Sequence, residues 1–202
     1  MRSGDDIFCH GGPLSWGALP ATAAWTHSGA QTGFEVAWFA AADGGAIVTG
    51  CTAATDERGA WAVDYEIRVD GAWRTRAARV RGRSAGGIRT VELTTDGNGR
   101  WAVDGAPARH LDGCVDIDLE SSAVTNTLPV HRLDLRPGER GASPAAWVRA
   151  ADLAVERLDQ DYLSVGDRSF DYAAPSEDFT ARLVYDDAGL LLEYPGIATR
   201  SA

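Results

Sequence analysis

Apolar and polar side chains alternate along most of this chain, the two-residue period of strands with one buried and one wet face. Trp61, Val63, Tyr65, Ile67 and Val69 form the cleanest run, with Ala62, Asp64, Glu66 and Arg68 on the opposite face. Phe34, Val36 and Trp38 alternate with Glu35, Ala37 and Phe39 in another. Asp70-Gly71 predicts a tight turn into a strand from Trp73 to Arg81, and Ile88 to Thr95 predicts the next. The turn Asp96-Gly-Asn-Gly99 leads into Trp101-Ala-Val-Asp104, and Asp104-Gly105 turns the chain again. These runs describe a meander of antiparallel hairpins.

The second half repeats the style. Phe170 to Tyr172 and Phe179 to Tyr185 read as strands, Asp186-Asp-Ala-Gly189 as a turn, and Leu190 to Tyr194 as a strand stopped by Pro195-Gly196. Ala146 to Leu158 is ambiguous between strand and helix. No long stripe of period 3.6 appears, so helix content is low. The fold class is mainly β: a curved antiparallel sheet forming a roll, barrel or sandwich. Trp-Ala-Val-Asp occurs at both Trp61 and Trp101. Four residues do not define a repeat, and no low-complexity linker divides the chain. One domain over residues 1–202, with room for two similar halves, is the expectation.

Chemistry concentrates in the middle. Val115, Ile117 and Leu119 alternate with Cys114, Asp116 and Asp118, and Leu128 to Leu135 looks like a second strand after the polar connection Glu120 to Thr127. Pairing these runs as a hairpin would bring Asp116, Asp118, Asn126, His131 and Arg132 within reach of one another. Such a cluster is either a polar binding surface or a self-satisfied network.

Composition narrows the field. The 202 residues carry a net charge of −10, and all 19 basic residues are Arg, as coding bias produces. The arginines between Arg74 and Arg89 are spaced as on a solvated strand face, so no basic patch invites a nucleic-acid partner. No stretch reaches the ~20 apolar residues of a membrane span. The N-terminal Met-Arg-Ser-Gly-Asp-Asp lacks an apolar signal core, which predicts a cytoplasmic protein. Cys9, Cys51 and Cys114 form no C-x-x-C pair and read as reduced thiols.

Most catalytic signatures are missing from the sequence. Asp112, Asp116, Asp118 and Glu120 do not follow the order of a calcium loop. His10, His27, His110 and His131 lack zinc spacing. No nucleophile elbow and no glycine-rich phosphate loop occurs, so neither cofactor nor metal is expected. Glu35, Asp116, Asp118 and Glu193 are carboxylates of the kind a glycosidase pairs, but any acidic β protein offers them. The seven tryptophans, with Tyr65, Tyr162, Tyr172 and Tyr194, chiefly fill the core, while a minority can line a ligand groove.

Several of these segments carry a resemblance. Gly33-Phe-Glu35, Tyr65-Glu-Ile67 with Trp73-Arg-Thr-Arg76, and Asp96-Gly-Asn-Gly-Arg-Trp101 are three of them. The strongest are Leu111-Asp-Gly-Cys-Val-Asp-Ile-Asp-Leu119 and Thr125-Asn-Thr-Leu-Pro129, followed by Gln160-Asp-Tyr162, Tyr172, Phe179, Gly189-Leu190 and Glu193-Tyr-Pro195. Together they resemble a bacterial family described as putative glycolipid-binding proteins, with a spiral β-roll fold like that of envelope lipid carriers. Ala123 and Val124 depart from the Pro and aromatic of that pattern, and His131 replaces an Arg.

The resemblance implies non-catalytic binding of an amphipathic small molecule, a glycolipid. Acyl chains would lie inside the roll, and a polar head would meet Asp116, Asp118, Asn126, His131, Arg132, Tyr162 and Tyr194 at its mouth. A cavity of ~300–1,000 Å³ with polar groups at one end is the corresponding expectation. The alternatives are a structural or interaction protein whose polar motif pins strand register, and a carbohydrate hydrolase using Asp116 and Asp118.

Overall fold

The alternating runs become antiparallel strands in a computed structural model, which describes residues 16–201. The first eight are β1 (Thr22–His27), β2 (Thr32–Ala42), β3 (Gly45–Asp56), β4 (Gly59–Asp70), β5 (Thr75–Ser84), β6 (Gly87–Thr95), β7 (Trp101–Val103) and β8 (Ala106–Pro107). Each pairs with its sequence neighbour, as expected of a meander. Trp61, Val63, Tyr65, Ile67 and Val69 of β4 all point inward and are buried. The strand expected from Trp73 begins at Thr75, because Trp73 sits in the turn with a φ of 60°.

In β2 polarity and burial are inverted. Glu35 is fully buried, whereas Phe34 and Trp38 are 47% and 46% exposed on the outer face. Gly50 of the paired strand β3 leaves room for the Tyr65 phenol that donates to this carboxylate.

Residues 108–158 leave this sheet and form an inner layer. It contains β9 (Asp116–Leu119), a helix α1 (Thr127–Leu133), β10 (Arg140–Ala142), β11 (Ala145–Val148) and β12 (Val155–Leu158). Strand β10 is the exception, since it returns to the edge of the large sheet. Strands β12, β11 and β9 make a small sheet, in which β9 and β11 run parallel with Asp116 opposite Ala145. The ambiguous stretch Ala146 to Leu158 is therefore a hairpin of strands.

The expected strand Leu128 to Leu135 is instead the helix Thr127–Leu133. A short apolar run does not distinguish the two periods. Pro129 is tolerated because first-turn amides have no partner within a helix, and Asp134, at φ 46°, ends it. The hairpin between the two halves of the motif does not form.

The chain rejoins the large sheet through β13 (Asp161–Gly166), β14 (Ser169–Ala174), β15 (Phe179–Tyr185), β16 (Leu191–Tyr194) and β17 (Ala198–Arg200). Strand β17 then pairs with β1, so among the described residues a curved sheet of 14 strands runs from β10 to β8 without closing.

Inward side chains grip the inner layer from both halves of this sheet. Thr75 Oγ1 accepts from Ile117 N at 3.0 Å, and Trp101 Nε1 donates to Cys114 O at 2.8 Å. From the other half, Tyr185 Oη donates to Asn126 O at 3.1 Å. The curve of the sheet is thus filled along its middle by the inner layer, and open space survives beside that layer.

Candidate functional site

That space is a cleft of about 350 Å³ between the inner layer and the inner face of the sheet. Its aromatic wall is Tyr172 of β14, Phe179 of β15 and Tyr194 of β16. These rings meet pairwise edge to face with centroids 5.9–6.1 Å apart. Trp147, Leu158 and Ile197 extend the apolar lining. Asp118, Asn126, Gln31 and Ser122 supply polar groups, and Asp56, Arg58, Glu120 and Arg149 stand at the mouth. Beyond them the cleft widens into a polar vestibule of about 840 Å³ along the β1–β2 and β3–β4 turns.

The mouth is an ordered charge network. Arg58 reaches Asp56 at 2.7 Å and Glu120 at 3.2 Å, and Asp56 also accepts from Trp61 Nε1 at 3.1 Å. The Arg58 hydrogen bonds hold the Asp56 carboxyl below its ordinary range. Arg149 lies 4.3 Å over the Trp147 ring and 3.5 Å from Glu120. Glu120 in turn accepts from Ala150 N at 2.7 Å.

Asp118 differs from these rim acids. Its Oδ1 accepts from Thr125 Oγ1 at 2.8 Å and its Oδ2 from Gln160 Nε2 at 2.6 Å. Gln160 also donates to Tyr172 Oη at 3.0 Å, tying the carboxyl to the aromatic wall. Burial pushes the Asp118 pKa up to about 6, and the neighbouring Asp116 and Glu120 charges add to the rise against the two hydrogen bonds.

Asp116, two residues away, is sealed. Arg132 of α1 donates to it through Nε at 3.0 Å and Nη2 at 2.6 Å, and Ser143 Oγ bonds both groups. The Asp116 side chain is 1% exposed. The two carboxylates of the hydrolase alternative therefore do not face one cleft.

His131 also lies elsewhere. It stacks on Trp73 with centroids 3.9 Å apart and packs beside Trp16 at 5.4 Å. Its Nε2 lies 3.0 Å from Ala188 O, so this nitrogen carries a proton and donates. Burial lowers the His131 pKa to about 4, and the ring is neutral. Of the seven expected ligand-binding residues, Asp118, Asn126 and Tyr194 line the cleft. Tyr162 lies behind it, donating to Asn126 Oδ1 at 3.0 Å, while Asp116, Arg132 and His131 belong to structural contacts.

A second buried carboxylate holds the cleft floor in place. Glu35 accepts from Tyr65 Oη at 2.7 Å, from Ala123 N at 2.7 Å, and from Ser122 Oγ. Its remaining neighbour is His27 Nε2 at 3.3 Å, while His27 Nδ1 accepts from Gln31 Nε2 at 2.8 Å. Glu35 is thus committed to anchoring the Ser122-Ala123 turn against β2.

Sequence reasoning missed Gln31, Asp56, Arg58, Ser122 and Arg149. Asp56 is the last residue of β3, and the others sit in turns or connections, where no periodicity marks a face. Cys51 and Cys114 are free thiols with pKa values raised by burial, and Cys9 and His10 lie outside the described residues. Among the described residues no group of three or more His, Cys, Asp or Glu side chains is arranged to hold a metal ion.

The architecture defines a class: an open, curved β-sheet gripping its own inner layer, with an aromatic-walled cleft between the two. Residues 22–200 match the family described as putative glycolipid-binding, and the chain belongs to that family. It is similar to the crystal structure of a DUF1089 family protein from Pseudomonas aeruginosa. The identity is 31%, the TM-score is 0.76, and the match covers 93% of this chain and 98% of that one. Among curated proteins nothing matches.

Proposed function

We propose that the protein binds an amphipathic small molecule in this cleft without transforming it, a glycolipid being the ligand that the family description suggests. The observation that carries this reading is the juxtaposition of the Tyr172–Phe179–Tyr194 wall with Asp118 and the charged mouth in a single cleft of about 350 Å³. That volume falls within the range of small-molecule sites, which join apolar walls to a few fixed polar groups. Apolar atoms would lie against the aromatic wall, Leu158 and Ile197. Hydroxyls would meet Asp118, Asn126 and the Arg58–Glu120 pair, and Trp147 offers a face for a sugar ring.

The same reading treats the chain as one domain, because both halves of the sheet hold one inner layer. The free thiols Cys51 and Cys114 support a reducing, cytoplasmic compartment. No described helix is long and apolar enough to cross a membrane. Native mass spectrometry of the purified protein, alone and with added short-chain glycolipids, tests the proposal. A bound adduct that disappears in Phe179→Ala supports it; no adduct under any condition overturns it.

A further inference from the structure

The cleft's charge balance says what kind of head group it takes. Four carboxylates line it, Asp56, Asp118, Glu120 and Glu177, against two guanidiniums, Arg58 and Arg149. Both arginines are already engaged by carboxylates: Arg58 with Asp56 and Glu120, Arg149 with Glu120 and Glu156. Asp118 alone among the cleft acids that accept side-chain hydrogen bonds has only neutral donors, Thr125 and Gln160. Arg132, the cation nearest in the motif, is spent on Asp116. A carboxylate taken out of water without a countercharge is costly unless a ligand provides one. Beside it the cleft is lined by Tyr172, Phe179 and Tyr194, aromatic side chains of the kind that attract organic cations.

We propose that the amphiphile bound here carries a protonated amine or quaternary ammonium group, seated between the Asp118 carboxylate and the Tyr172–Phe179–Tyr194 wall. The inference rests on the reading of the cleft as an amphiphile site and narrows it. An anionic head group is disfavoured by the same arithmetic, and a neutral sugar head alone leaves Asp118 without a countercharge.

The site is pH-sensitive in a defined direction. A cation prefers ionised Asp118, so affinity is full above the carboxyl's pKa of about 6 and falls about tenfold per pH unit below it. The ionisable groups that face Asp118 are Asp116, Glu120 and four tyrosines. Asp116 is held by Arg132, and Glu120 by Arg58 and Ala150 N. Tyr162, Tyr172, Tyr185 and Tyr194 all have pKa values raised by burial.

Titration calorimetry with three probes of one chain length, decyltrimethylammonium, decyl maltoside and decanoate, each below its micelle concentration, tests the proposal. At pH 7.5 the ammonium is expected to bind at least tenfold more tightly than either other probe. That preference should vanish in Asp118→Asn and weaken in the wild type at pH 5. The wild-type pH series stands even where the variant is unstable. Equal or tighter binding of the maltoside or of decanoate overturns the ammonium assignment and leaves the amphiphile site standing. Binding of no probe overturns both.

Discussion

His131 and Asp118 respond to acid in opposite directions. The His131 pKa is depressed to about 4 in the fold, below its ordinary 6.5, so its contribution is full above 6.5 and is lost as pH falls towards 4. The shift corresponds to about 3 kcal/mol. Asp118 is raised from 3.8 to about 6, so its contribution is full below 3.8 and is lost as pH rises through 6, again about 3 kcal/mol. Between pH 6 and 4 the two offset each other. Measured against wild type, His131→Phe should gain melting temperature as pH falls through this window, and Asp118→Asn should lose it; parallel curves would refute the assignment. Arg132→Ala strands the buried Asp116 carboxylate and should cost about 3–5 kcal/mol in urea unfolding, whereas Asp116→Leu with Arg132→Met should cost much less. The Asp116–Arg132 pairing was legible in the sequence as a juxtaposition, though a helix rather than a hairpin delivers it. Glu35 was not legible as an anchor, because an acid in an alternating run is expected outside and its partner Ser122 is 87 residues away.

At the scale of elements, the outer meander was readable and the inner layer was not. Strands such as β4 keep one face wet, and their alternation survives in the sequence. Strand β9 is covered on both sides, as parallel strands generally are, so its Asp116 is as buried as its Ile117. Without a solvated face, the period carries no information about which side is which. The connection from β9 to α1 depends on Glu35, whose carboxylate accepts the Ala123 amide at 2.7 Å. Glu35→Ala removes that acceptor and should speed hydrogen exchange at Ala123 by about tenfold or more, with a loss of about 1–3 kcal/mol in stability. Gly50→Ala should act through the same network. A Cβ at Gly50 would fall within the Tyr65 phenol, the group that donates to Glu35, so the substitution should lower the unfolding midpoint and accelerate the same amide.

At the scale of the molecule, hairpin signals along the chain foretold a large antiparallel sheet. They could not foretell that β17 and β1 would join its two halves, because that pairing spans nearly the whole sequence. Thr26 and Ser201, 175 residues apart, meet at 3.1 Å across this seam, and the Arg200 guanidinium lies 4.9 Å over Trp25. Both Tyr194 and Ile197 reach the cleft from its immediate vicinity. A polypeptide emerging from the ribosome can assemble β1 to β8 from neighbouring hairpins long before this point, since local pairings form early. The aromatic wall must wait until residue 200 has emerged. During synthesis the cleft is therefore the last part of the molecule to be completed, and a prematurely terminated chain carries much of the sheet and the charged mouth without the aromatic wall.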